Sequence, residues 1–256
     1  MAMIISFANQ KGGVGKTTTA LNIASILSKN GKKILVIDLD PQSNLTSGLG
    51  FDKSQEYLSS YDVLIQDHDI SNVFVPSDIN ENLFLVPSKI DLAGAEIELV
   101  SKLSREKILK EKLEKIKHEY DYVLIDCPPS LGLLTLNALV ASDGVVIPVQ
   151  CEYFALEGIS QLMNTFGIVK KSLNPDLDVL GVVMTMFDSR TKLSGEVVAE
   201  VKNFFDEKLF ETIIPRNVRV SESPSFGKPV DVYDPSSPGA KAYEKLADEF
   251  LKRMSK

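Results

Sequence analysis

The residues best equipped for chemistry stand within the first twenty positions. Gln10-Lys11-Gly12-Gly13-Val14-Gly15-Lys16-Thr17-Thr18 gathers glycines, two lysines and two threonines into one short stretch. Glycine at 12, 13 and 15 removes the Cβ atoms that would stop backbone N–H groups from turning inward around phosphate oxygens. Lys16 stands where it would reach β- and γ-phosphates, and Thr17 where its hydroxyl would ligate Mg²⁺. Two acidic sites lie further on, Asp38-Leu39-Asp40 and Asp126. Each follows a short apolar run, and at Asp126 that is the pattern of a carboxylate that holds a metal's shell.

Such groups act together only if the surrounding elements present them on one edge. Met3-Ile4-Ile5-Ser6-Phe7 reads as a buried strand, and Ala20, Ile23, Ala24 and Leu27 mark the i, i+3, i+4, i+7 stripe of a helix. A glycine-rich turn between strand and helix is the context that phosphate binding needs. The helix adds its unpaired N-terminal donors and the positive end of its dipole. Ile34-Leu35-Val36-Ile37, after the turn Asn30-Gly31-Lys32, is a second buried strand whose carboxyl end carries Asp38 and Asp40. Ligands of open α/β sheets bind at such ends. Different roles are expected of Asp38 and Asp40.

Tyr122-Val123-Leu124-Ile125 is a third strand, ending in Asp126. Pro128 and Pro129 bar helix or ladder pairing just after it, and Gly132 permits a conformational change. Further strands are expected at 83–86, 145–149 and 179–184, and helices at 104–118, 155–171, 195–205 and 240–253. Val/Ile/Leu strands alternating with helices predict a mostly parallel sheet covered on both faces. No repeat, low-complexity segment or linker divides the chain, so residues 1–256 are expected to form a single domain.

Composition excludes several classes of function. With 44% hydrophobic and 25% charged residues, the chain has an ordinary globular balance. No apolar run approaches the roughly 20 residues of a membrane span, and Met1-Ala2-Met3 lacks the basic region of a secretory signal. Cys127 and Cys151 are too few for a disulfide framework, which points to a reducing cytoplasm. A net charge of −7 argues against a general nucleic-acid coat, so any such surface must be local.

Position 10 is glutamine where the ordinary G-x-x-x-x-G-K-[ST] loop has glycine, and Lys11 precedes the glycines. KGGVGKT resembles the deviant Walker A motif of the ParA/MinD/nitrogenase iron protein group. DLDPQ, VLIDCPP, the stretch Cys151–Gly158, TMFDSRT and IPRNVRVSESPSFGKPV extend the resemblance to ParA/Soj partitioning ATPases, in order over about residues 3–253. That resemblance implies a three-layer P-loop NTPase fold, α/β in class, with ATP and Mg²⁺ as ligands. It also implies an ATP-dependent sandwich homodimer, non-specific binding of double-stranded DNA, and a ParB-like partner that stimulates hydrolysis and release. A cytoplasmic, nucleoid-associated location without membrane contact follows.

Residue by residue, the resemblance gives Lys11 a reach across the dimer interface to the partner's nucleotide. It assigns nucleotide contacts to Gly12, Gly13, Val14, Gly15, Lys16, Thr17 and Thr18. Asp40 would position the attacking water, Thr17 and Asp126 would hold Mg²⁺, and Asp38 would stand behind the metal. Pro215 and Asn217 would contact adenine with Arg216 close by, and Thr185-Met186-Phe187-Asp188 would form the other wall. Arg190 and Arg219 match positions implied in DNA contact, with Lys192 and Lys228 as weaker neighbours.

Three rival readings are weaker. Cys127, adjacent to Asp126 and followed by two prolines, does not match the cluster cysteine of the iron protein and is expected to be a small buried hydrophobe. A membrane-surface ATPase of the MinD type would end in a separate basic amphipathic helix. Here the closing helix carries Tyr243, Leu246, Ala247, Phe250 and Leu251, with only residues 254–256 beyond. A scaffold that binds nucleotide without turning it over is disfavoured by Asp40 and Asp126.

Overall fold

The apolar runs become the strands of one seven-stranded sheet in a computed structural model that describes residues 2–54, 56–152 and 155–254. Backbone alone is described at 155–158. In chain order the elements open with β1 (Met3–Phe7), α1 (Lys16–Lys29), β2 (Ile34–Asp38), α2 (Asn44–Gly48) and α3 (Ser60–Leu64). There follow β3 (Val75–Ser77), β4 (Asn80–Val86), α4 (Leu92–Glu98), α5 (Ile108–Glu114), β5 (Tyr122–Asp126) and α6 (Leu133–Ala141). The chain continues through β6 (Gly144–Gln150), α7 (Ala155–Ser172), β7 (Asp178–Thr185) and α8 (Lys192–Phe205). It closes with α9 (Val218–Glu222), α10 (Val230–Tyr233) and α11 (Pro238–Met254).

The strand order is β3-β4-β2-β5-β1-β6-β7, and only the β3–β4 pair is antiparallel. Helices cover both faces, and strand alternation divides the apolar side chains between two separate cores. Leu35, Ile37, Val123, Ile125, Val145 and Ile147 enter one core with α5 and α6. Ile34, Val36, Leu124 and Val146 enter the other with α1 and α11. This three-layer arrangement is what period-2 side-chain alternation produces when neither face meets water.

One expected helix is shorter than its sequence suggests, and one helix has no sequence signal. The charged helix expected at 104–118 is confined to Ile108–Glu114, followed by a 3₁₀ turn at Lys117–Glu119. Ser104 takes a left-handed φ of 49°, which no α-helix accommodates. Helix α6 went unread in the sequence because residues buried nearly all round leave no polar stripe to reveal a 3.6-residue period.

Candidate active site

The glycine-rich loop joins β1, the strand between β5 and β6, to the N-terminus of α1. Gly13 and Gly15 take φ of 73° and 89°, left-handed values that a side chain would strain. Gly15 is the N-cap of α1 without a side-chain cap, and no acidic residue lies in the first turn. The helix therefore offers its free N–H groups and dipole without competition from a protein anion. Lys16 is buried, and its Nζ donates to the Lys11 carbonyl at 3.2 Å. Burial lowers its pKa, and the Asp126 carboxylate is the strongest group opposing that shift. The loop is anchored at its start by Asn9, whose Nδ2 donates to the Pro148 carbonyl at 2.7 Å while its Oδ1 accepts from the Lys11 N–H at 3.0 Å.

Asp38, Asp40 and Asp126 converge behind the loop, with Asp38 and Asp126 directly paired in register across β2 and β5. Asp38 accepts from the Thr46 N–H and hydroxyl at 2.9 and 2.7 Å and from the Asp40 N–H at 3.0 Å. Burial nevertheless pushes its pKa up to about 6. Asp40 is 8% exposed, and its Oδ1 accepts from the Gln42 N–H at 2.9 Å. Strand β2 ends at Asp38, so Asp40 belongs to the turn; leaving the strand, rather than side-chain alternation, which sets residues two apart on one face, gives the two carboxylates different surroundings.

Asp126 is wholly buried, and among the described residues neither of its carboxylate oxygens has a hydrogen-bond partner of ordinary geometry. Burial first and the Asp38 charge second push its pKa well above the usual range, with the Thr17 hydroxyl pulling it down. An orphaned buried carboxylate is costly unless a cation completes it. Among the described residues no group of three or more His, Cys, Asp or Glu side chains could hold a metal alone. Asp126 and Thr17 therefore suit Mg²⁺, which is typically bound through one or two protein oxygens, substrate phosphates and waters. Cys127 is buried and burial raises its thiol, as expected of a small hydrophobe.

A partly open cavity of about 120 Å³ lies beside the loop, lined among others by Gly15, Met186, Pro215, Arg216, Asn217 and Tyr243. Of the residues expected as two walls, Thr185, Met186, Pro215, Arg216 and Asn217 face this one space, whereas Phe187 and Asp188 do not line it. Phe187 bridges Pro215, with the Phe187 N–H donating to Ile214 O at 3.0 Å and the Arg216 N–H to Phe187 O at 2.9 Å. Asn217 caps α9 by accepting from the Val220 N–H at 3.3 Å, which leaves its amide donors unused by the cap. Tyr243 reaches the cavity from α11, a contribution no local signal announces, since its spacing reads as core.

Lys11 and the two candidate DNA arginines are all paired within the chain. Lys11 Nζ lies 3.2 Å from Glu152 Oε2. Arg190 forks onto Asp188 at 2.9 and 2.7 Å, which holds that carboxyl well below its ordinary range. Arg219 contacts Glu222 at 2.5 Å and Asp234 at 3.3 Å. Of the stretch Cys151–Gly158, Tyr153 and Phe154 lie outside the described residues.

The family described as AAA domain matches residues 2–179. The chain is 56% identical to the sporulation initiation inhibitor protein Soj of Bacillus subtilis, over 97% of this chain and 98% of that protein. It is 51% identical to the chromosome partitioning protein ParA of Myxococcus xanthus, over 98% and 88% of the two. A crystal structure described as cobyrinic acid a,c-diamide synthase from Mycobacterium smegmatis, with bound ADP and magnesium, superposes with a TM-score of 0.87. It is 39% identical, covering 100% of this chain and 96% of its own. With a glycine-rich loop, converging aspartates and a cavity gathered at one end of the sheet, and relatives 56% and 51% identical over 97% and 98% of its length, the chain belongs to the ParA/Soj family of chromosome-partitioning ATPases.

Proposed function

We propose that this chain hydrolyses ATP with Mg²⁺ to drive DNA partition, as a nucleotide-dependent homodimer that binds double-stranded DNA without sequence preference. The observation that carries the reading is the buried Asp126 carboxylate beside Thr17, without a hydrogen-bond partner of ordinary geometry among the described residues, together with the capless, acid-free start of α1. Mg²⁺, held through Thr17 and Asp126, would neutralise the charge that develops on the phosphates. Loop N–H groups and Lys16 bind the β- and γ-phosphates, and the cavity walled by Met186, Pro215 and Asn217 takes the adenine. Asp40, fixed by Gln42 and by the Ser88 hydroxyl on its carbonyl, is held rigidly enough to orient a water for attack on the γ-phosphorus. The water's oxygen bonds to the γ-phosphorus as the bond from that phosphorus to the β–γ bridging oxygen breaks, giving ADP and inorganic phosphate, and the proton the water loses passes to solvent.

Lys11 is a second cation in a loop that Lys16 already serves. Its pair with Glu152 is half-exposed and worth about 0–1 kcal/mol, so Lys11 is free to exchange Glu152 for a phosphate on a partner copy. A ParB-like protein acting on that dimer and a nucleoid-associated location accord with the family. Among the described residues no helix is long and apolar enough to cross a membrane, and α11 buries Tyr243, Leu246, Ala247 and Phe250 in the core. Its apolar face is thereby withdrawn from any lipid interface.

The test is Asp40→Ala. The variant should bind ATP yet lose turnover, so that dimer accumulates on size-exclusion chromatography with ATP and Mg²⁺. Lys16→Ala should abolish both turnover and dimer. A strictly monomeric Asp40→Ala protein with ATP would remove Asp40 from the role of positioning water.

A further inference from the structure

Thr185 closes β7 and is 2% exposed, a hydroxyl at the end of the apolar run Val182-Val183-Met184. Its Oγ1 lies 2.8 Å from the Val14 carbonyl in the glycine-rich loop and 3.2 Å from the Val149 carbonyl on β6. One hydroxyl carries one proton, so the two carbonyls compete, and the shorter contact makes Val14 the principal acceptor. The chain has no cis peptide among the described residues. In a trans peptide the C=O and N–H of one unit point in opposite directions. Holding the Val14 carbonyl against β7 therefore turns the N–H of Gly15 away from β7, the direction from which a phosphate is cradled.

The rest of the environment agrees with this assignment. A Cβ at position 15 would lie 3.5 Å from Thr185 Cγ2, so Thr185 stands beside Gly15. The Thr185 carbonyl accepts from the Cys151 N–H at 3.1 Å, which fixes the end of β7 against the chain leaving β6. Asn9 holds the loop's start to β6 as Thr185 holds its exit to β7. Met186, the next residue, turns at φ 54° into the base cavity, so Thr185 sits between the phosphate and base halves of the site.

We infer that Thr185 is a positioning residue for the phosphate loop, its hydroxyl setting the Val14–Gly15 peptide so that the Gly15 N–H faces the nucleotide's phosphates. The inference rests on the nucleotide-binding reading above. It differs from a plain structural staple, which would weaken folding and leave the folded protein's affinity intact.

Isothermal titration of the full chain with ATP and Mg²⁺, and separately with ADP and Mg²⁺, decides between them. Thr185→Val keeps the shape and deletes the proton, leaving a buried carbonyl without a donor. It should weaken both nucleotides about tenfold. Thr185→Ser should bind nearly as wild type. In turnover assays Thr185→Val should raise KM with kcat nearly unchanged, because the Gly15 N–H serves ground and transition states alike. Urea midpoints are read alongside. Wild-type affinity in Thr185→Val, or equal weakening in Thr185→Ser, overturns the proposal. If Thr185→Val does not fold, Thr185→Cys, with its weak S–H donor, carries the same comparison against Thr185→Ser. A wild-type chain that binds no ATP overturns the nucleotide reading itself, an outcome distinct from these.

Discussion

Asp38 and Asp126 face each other across β2 and β5, and both are fully buried. Each is pushed toward its neutral form, Asp38 to about 6, by burial before all else. A carboxyl whose pKa is raised on folding contributes stability below its unfolded value near 4, and that contribution is lost as pH rises through the folded value. Stability of the nucleotide-free protein should therefore fall between pH 5 and pH 7.5. Asp126→Asn keeps the shape and removes one of the two charges. It should raise unfolding free energy at pH 7.5 by about 1–3 kcal/mol, flatten the pH profile, and abolish Mg²⁺-dependent hydrolysis. Urea unfolding at the two pH values checks it, and a less stable Asp126→Asn protein at pH 7.5 would contradict the charge argument. The stability forgone by keeping Asp126 is the usual signature of a site built to receive a cation.

At the scale of elements, α9 serves two surfaces. Asn217 and Val220 line the cavity beside the glycine-rich loop, and Arg219 stands on the same short helix. The bridge between Phe187 and Pro215 brings the loop of Arg190 alongside. Both arginines are neutralised by neighbouring carboxylates, so a single copy offers DNA little positive charge. Arg190→Ala and Arg219→Ala should each weaken binding to two unrelated duplexes equally. Each should also flatten the log–log salt dependence by about 0.9 for every phosphate no longer neutralised. Fluorescence anisotropy across a salt series measures both effects, and weakening confined to one duplex would contradict phosphate recognition.

Much of this edge was legible in the sequence, for identifiable reasons. The loop, the Asp40 turn and Asp126 each follow a continuous apolar run and a sharp change of residue type, signals that survive without any knowledge of packing. Pro215-Arg216-Asn217 and Thr185-Met186 were legible only through family resemblance, since nothing local in them names a base pocket. The pairing of Asp38 with Asp126, the reach of Tyr243 from α11, and the hydroxyl of Thr185 on Val14 depend on strand order and register. These are set between residues far apart in the chain. Helix α6 stayed hidden because full burial erases amphipathic periodicity, and α5 came out short because Ser104 leaves the helical region.

For the whole molecule, the net charge of −7 and the internally paired arginines make a solitary copy a poor ligand for DNA. Two copies joined through their nucleotides would set two such surfaces side by side, and Lys11 is the residue that would make the joining depend on nucleotide. It belongs to the loop, and among the described residues its ammonium pairs with the half-exposed Glu152. The most direct measurement is anisotropy of a labelled duplex titrated with the chain in ATP and Mg²⁺, then in ADP and Mg²⁺, with Lys11→Ala run in parallel. DNA binding is expected with ATP alone, and should vanish in Lys11→Ala even though that variant still binds nucleotide as a monomer. Equal binding in ATP and ADP, or undiminished binding by Lys11→Ala, would contradict a nucleotide-gated dimer.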